Sequence, residues 1–328
     1  MRQTKDGYGM SGPPIHCLLD CLAYLVRNRT DMDPRPIYLG VWNAPFIADE
    51  DGFSYYSEEI DPDLDLRRFE QLYGPCLTRW LEPEWEKERQ IAQLEEEMAG
   101  AGETVSVIVL VDLYYMPHSA ICYGLKHMPH MLIVELGRDG ALRAVDPFFD
   151  WEGEITRSVL YEAFTCGGLS SGITLRLDKA SEPGPILARE AFRMHFDMET
   201  SPLIMGVDNY LRHIENGTPN YTAAKLYASI GQVGVIAKRW KGLGEVARYF
   251  ADTGGGDGAP VVEMLDQLLV KWENIVLVIV RLGVLGNHAK LTDARAKLAK
   301  LAELERDIRA ALWKLFERWE AAGHERVG

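Results

Sequence analysis

Apolar positions change their spacing once along this chain, and the change divides it in two. Up to about residue 180, short apolar runs alternate with amphipathic stretches. CLLDCLAYLVRN, from residue 17, places apolar residues three and four apart and predicts a buried helix over 17–28. EPEWEKERQIAQLEEEMA, residues 82–99, shows the same spacing on a charged background, which predicts a surface helix. TVSVIVLVD, residues 104–112, is β-branched and almost wholly apolar, the pattern of a central strand covered on both faces. HMLIVEL and ALRAVDP follow as two short strands, and GITLRL, residues 172–177, adds another. Between the short pair, Arg138-Asp139-Gly140 fits a three-residue hairpin loop with glycine in the left-handed position. That loop pairs Gly137 with Ala141 and Leu132 with Asp146. A two-residue loop would slip the register by one and turn Asp146 to the other face.

After ASEPGP, residues 180–185, the pattern becomes helical. AREAFRMHF, PLIMGVDNYLRHI, AAKLYASIGQVGVIAKRW and LGEVARYFA each repeat apolar residues at helical spacing. A long apolar piece over 260–285 and a final charged helix over 292–319 follow. The expected fold class is α+β. Residues 1–180 form a domain with an antiparallel sheet, and residues 181–328 an all-helical C-terminal domain. The last helix, rich in Ala, Glu, Lys and Leu, could also support a homodimer contact.

Composition narrows the function classes. Of 328 residues, 47% are hydrophobic and 26% charged, the balance of a globular protein. The opening residues lack the apolar core of a signal peptide. The most apolar stretch, WENIVLVIVRLGVLG, is interrupted by Arg281 and falls short of the roughly 18 residues a membrane span needs. No membrane association and a cytoplasmic location are expected. Five cysteines without a C-x-x-C pair point to reduced thiols. A formal charge of -14 argues against a nucleic-acid partner and is compatible with a cationic small molecule. Residues 48–70 carry nine carboxylates against two arginines, a solvated loop or a cation-attracting rim.

Candidate chemistry starts at PPIHCLLDC. Cys17 opens a helix, and a helix N-terminus stabilises an anion, so a thiol there tends to be reactive. A cysteine nucleophile needs a base, and the base an orienting acceptor. His130 sits at the mouth of a strand, and the three-residue hairpin brings Asp146 diagonal to it, within side-chain reach. Each residue alone has an ordinary explanation as core or turn, but the three in this order form a nucleophile, base and orienter. Cys21, one turn after Cys17, is expected in the core. The histidines and cysteines of this region show no metal-ligand spacing, so no metal is expected.

Four motifs, IHCLLDCLAYL, VDLYYMP, PHMLIVELG and AVDPF, resemble in that order the family of butirosin biosynthesis protein H, within the papain-like superfamily. The resemblance covers about residues 10–150. It implies a papain-like N-terminal domain with the nucleophile on a helix, Cys17, His130 and Asp146 as catalytic triad, and acyl transfer rather than proteolysis. Papain-like enzymes often carry a glutamine about six residues before the cysteine, where this chain has Ser11. The Cys17 backbone N–H supplies one oxyanion donor, and Ser11 or Asn43 is the candidate for the second. Tyr114, Tyr115 and His118 follow a strand end and are candidates to line a substrate pocket, as is His16.

The implied activity is amide formation, with an acyl group passing from a carrier-protein or CoA thioester through Cys17 to an amine, in specialised-metabolite biosynthesis. No cofactor is expected on this chain, because the phosphopantetheine arm belongs to the donor. The acidic stretch would suit a cationic amine acceptor. Lys238, Arg239 and Lys241 offer a basic patch for an acidic carrier protein. A cysteine peptidase or amidohydrolase with the same triad, and a non-catalytic binding module, are the alternatives.

Overall fold

A computed structural model of the chain describes residues 15–55, 59–81, 85–137, 139–166, 171–285 and 289–325. Two compact units emerge. The first joins the residues up to Ile37 with Asp65–Gly184, and the second joins Tyr38–Leu64 with Pro185–Gly328.

In the first unit, helix α1 (Cys17–Arg29) starts at the predicted cysteine. Helices α2 (Leu64–Tyr73), α3 (Lys87–Ala99) and α4 (Arg157–Thr165) complete its helical part. Strands β3 (Leu77–Leu81), β4 (Val105–Asp112), β5 (Pro129–Leu136), β6 (Leu142–Asp146), β7 (Trp151–Glu154) and β8 (Ser171–Arg176) form one antiparallel sheet in the order β3-β8-β4-β5-β6-β7. β4 lies inside this sheet, as its unbroken apolar run requires. Val107, Val109, Val111, Leu132, Val134 and Ala144 make one buried face with Leu94 and Met98 of α3 and Leu160, Ala163 and Phe164 of α4. The alternate positions Ile108, Ile133 and Val145 are buried as well, and α1 packs along β5. Arg29 fixes the far end of α1, donating to Ser106 at 3.0 Å and to Glu135 at 2.6 Å.

The hairpin between β5 and β6 has the register that the three-residue loop dictates. Leu136 pairs with Leu142 and Ile133 with Val145. Gly137 N–H donates to Ala141 O at 2.8 Å, and Gly140 takes φ +80°. That conformation has no Cβ penalty only in glycine.

The second unit holds strands β1 (Ile47–Asp49) and β2 (Gly52–Ser54) with helices α5 (Pro185–His195), α6 (Pro202–Glu215), α7 (Ala223–Lys238), α8 (Gly242–Gly254), α9 (Ala259–Leu285) and α10 (Ala289–Glu325). Phe192, Phe250, Phe316 and Trp319 form an aromatic core between α5, α8 and α10. Among the described residues, no helix is long and apolar enough to cross a membrane.

The protein is thus α+β, an antiparallel sheet region followed by a helical one, as the apolar spacing requires. Several details differ from the sequence reading. α3 starts at Lys87, and residues 82–84 lie outside the described set. The acidic stretch is no plain loop: it supplies the β1–β2 hairpin and opens α2. Two of its carboxylates have partners in the helical unit, Asp51 with Lys225 Nζ at 2.8 Å and Glu50 with Asn220 at 3.0 Å. Arg239 is buried, with its guanidinium 5.3 Å above the Tyr55 ring, so the expected basic patch lacks its middle residue.

Candidate active site

Cys17 is the first residue of α1, buried, with His16 before it in extended backbone. His16 does not cap the helix through its side chain; its Nδ1 lies 4.0 Å from Asp65 Oδ2. Cys21, one turn on, is fully buried, and its thiol points to the Met131 carbonyl at 3.6 Å. Burial, with Asp146, Cys17 and Asp20 nearby, pushes the Cys21 thiol well above its usual range. A thiol held that way is an inert core group.

His130 enters from the start of β5, opposite Val111 of β4. Its Nε2 lies 3.0 Å from Asp146 Oδ1. Cys17 is close enough to act electrostatically on the ring and favours its charged form. With Nε2 engaged by the carboxylate, Nδ1 is the nitrogen left for the sulfur. Phe148 and Phe149 pack on the His130 ring with centroids at 5.6 and 5.4 Å, which keeps it in place and dry. Burial works against a charged imidazole here. The Asp146 hydrogen bond and the influence of Cys17 outweigh it, and the His130 pKa is pushed up to about 10.

Asp146 ends β6 and caps the 3-10 turn Pro147–Phe149, accepting from Phe149 N–H at 3.3 Å. It is wholly buried. Burial alone would raise its pKa, yet hydrogen bonds from His118 and His130 hold it below the usual carboxylate range. A carboxylate kept ionised beside an imidazole is the arrangement of a base and its orienter.

His118, expected at a pocket wall, turns its side chain into the protein. Its Nε2 lies 2.8 Å from Asp146 Oδ2, its ring stacks on Trp151 with centroids 4.2 Å apart, and its side chain is 1% exposed. The loop that carries it folds inward because a carboxylate oxygen and an indole face are both available there. Tyr114 and Tyr115 sit on the 3-10 turn after β4, and their contacts are with each other, with His127 and with Cys166. Asn43 belongs to the second unit, at the end of the 3-10 helix Arg35–Asn43. Ser11 lies outside the described residues.

Sequence reasoning missed Asp20. This carboxyl is 1% exposed, and its Oδ2 accepts from the backbone N–H of Ile15 at 2.9 Å and of His16 at 3.2 Å. Burial pushes its pKa up to about 7 despite those two bonds and the nearby His130. The signal was present: an acid three residues after Cys17 shares its helix face.

Among the described residues, one group has metal-ligand character. Asp112, His127 and Cys166 each place one donor atom within 4.8 Å of the others. Asp112 already has a structural task. Its Oδ1 accepts from Tyr114 and Met128 N–H, and its Oδ2 meets His127 Nδ1 at 2.5 Å, tying the end of β4 to the start of β5. The set shares no residue with Cys17, His130 and Asp146.

Residues 14–180 match the DUF6005 N-terminal domain, and residues 188–327 match the DUF6005 C-terminal domain. The chain belongs to the DUF6005 family. Petrobactin synthase of Bacillus anthracis is 24% identical over 316 residues, covering 95% of this chain and 97% of that protein. The similarity therefore spans both units, and all the candidate residues described above fall inside the DUF6005 N-terminal match except Ser11, which precedes it.

Proposed function

We propose that this DUF6005 protein is a biosynthetic enzyme that forms an amide by cysteine-dependent acyl transfer. The observation that carries the reading is the His130 imidazole, bonded to the buried Asp146 carboxylate and under the electrostatic influence of Cys17 at the first turn of α1. The full-length similarity to a synthase supports a biosynthetic role over a peptidase.

His130 takes the Cys17 proton, and the sulfur attacks the carbonyl carbon of an acyl thioester on a carrier protein or CoA. The carbonyl C–S bond to the carrier breaks, and the carrier thiol leaves with a proton. Thioester exchange is close to isoenergetic, so no nucleotide is consumed. An amine then attacks the acyl-Cys17 carbonyl. Its nitrogen gives a proton to His130, the Cys17 sulfur departs, and the amide is released. Asp146 keeps the imidazole oriented and stabilises it when charged. The first turn of α1 supplies backbone N–H groups for the developing oxyanion.

The test is intact-mass analysis after mixing with simple acyl-CoA and acyl-pantetheine thioesters. A single acyl adduct on Cys17, absent in Cys17→Ser and discharged faster by amines than by water, is expected. Equal adduct formation by wild type and Cys17→Ser would overturn the reading.

A further inference from the structure

The start of α1 is capped in an unusual way. In most helices the residue before the first turn uses its side chain to bond a free N–H of that turn. His16 makes no such bond. Asp20 instead folds back along the helix, and its Oδ2 takes the N–H groups of Ile15 and His16, upstream of the helix. The first bond of the helix backbone runs from Asp20 N–H to His16 O at 2.8 Å. The amides of Cys17, Leu18 and Leu19 precede that bond, and none donates to another described residue. A helix end leaves such groups to be satisfied from outside.

We propose that Asp20 is a positioning residue for the nucleophile: by clamping the Ile15 and His16 amides it fixes the backbone that presents Cys17 to His130, and it leaves the first-turn amides of α1 open to a substrate oxygen. This rests on the reading of Cys17 as nucleophile. A side-chain cap on α1 would occupy the amides the oxyanion needs, and a chain without any cap would fray at the residue that must stay still. The displaced clamp meets both demands. The second carboxyl oxygen of Asp20 is buried with no hydrogen-bond partner among the described residues, so the bonds that hold the side chain there are the two made by Oδ2.

The experiment compares wild type, Asp20→Asn and Asp20→Ala in the full chain by two readouts. Hydrogen exchange at residues 15–19 reports the clamp, and the iodoacetamide rate at Cys17 against pH reports nucleophile placement. Asn keeps an oxygen for both amides. Asp20→Ala should speed exchange at residues 15 and 16 and slow Cys17 labelling about tenfold or more, while Asp20→Asn should restore both. The titratable groups that act on Asp20 are His130 and Asp146, and Asp20 in turn acts on Cys21 of its own helix. The wild-type profile should therefore contain an ionisation near 7 that Asp20→Asn lacks. If Asp20→Ala fails to fold, Asp20→Ser, too short to reach both amides, takes its place with the same expectations. Unchanged exchange, or faster exchange with unchanged labelling, would overturn the proposal. Wild-type labelling no faster than that of His130→Ala would instead strike the acyl-transfer reading, and exchange would still decide the clamp.

Discussion

His118 and His130 share one carboxylate: both donate through Nε2 to Asp146, at 2.8 and 3.0 Å. Asp146 is therefore more than a partner of His130. It joins the β5–β6 strand pair to the loop that follows β4, and His118 stacked on Trp151 holds its second oxygen.

Asp146→Ala should cost stability as well as activity. It would leave two buried imidazoles without their acceptor, and breaking a buried pair from one side costs roughly 3–5 kcal/mol. Urea unfolding should show a midpoint shift larger than that of His118→Ala, which removes one partner and leaves the His130 bond intact.

The His130 ring should titrate late. Its pKa is pushed up to about 10, against a usual value of 6.5. A raised histidine pKa contributes stability that is complete below the unfolded value and is lost as pH rises toward the folded one. NMR of labelled histidine should find this ring protonated at neutral pH, the resting enzyme already holding on His130 the proton that it takes from Cys17. In Asp146→Asn the titration should move down, because the acceptor that favours the charged ring is gone.

Loss of the base should be felt at the thiol. His130→Ala should lower acyl-enzyme formation at Cys17 by about a hundredfold or more. Cys21→Ala should retain acylation, with only a packing cost, since that thiol faces the Met131 carbonyl in the core.

In the helical unit, Glu305 offers a separate test. It is fully buried on α10 near Arg309, and burial pushes its pKa from 4.5 up to about 7. The folded state then holds the proton more tightly than the unfolded state, so this group makes stability fall as pH rises from about 4.5 to 7. Glu305→Gln should lack that fall. Its melting temperature relative to wild type should climb across the same window, by the equivalent of about 2–3 kcal/mol.

Gly172 on β8 faces Trp80 of the neighbouring strand β3. A Cβ there would sit 2.0 Å from the indole Cζ2. Gly172→Ala should destabilise the first unit by about 1–3 kcal/mol through displacement of that ring, measured by chemical denaturation.

By itself the sequence determined the features that rest on local chemistry. The helix start at Cys17, the run of β4 and the register that brings Asp146 toward His130 depend on apolar spacing and on one glycine in a three-residue loop. Neighbours along the chain decide such features, so they are legible in it. The tertiary structure decided the rest. β8 lies between β3 and β4, although β8 follows both by a long stretch of chain. Residues 38–64 join the helical unit, and their acidic run carries no local sign of where it packs. His118 turns inward because Asp146 and Trp151, about thirty residues later, offer it a carboxylate and a ring face. Asp20 becomes a clamp because folding buries it, leaving the Ile15 and His16 amides as its partners. Contacts between distant segments carry no pattern in a single sequence; burial and hydrogen-bond demand select them only once the chain is folded.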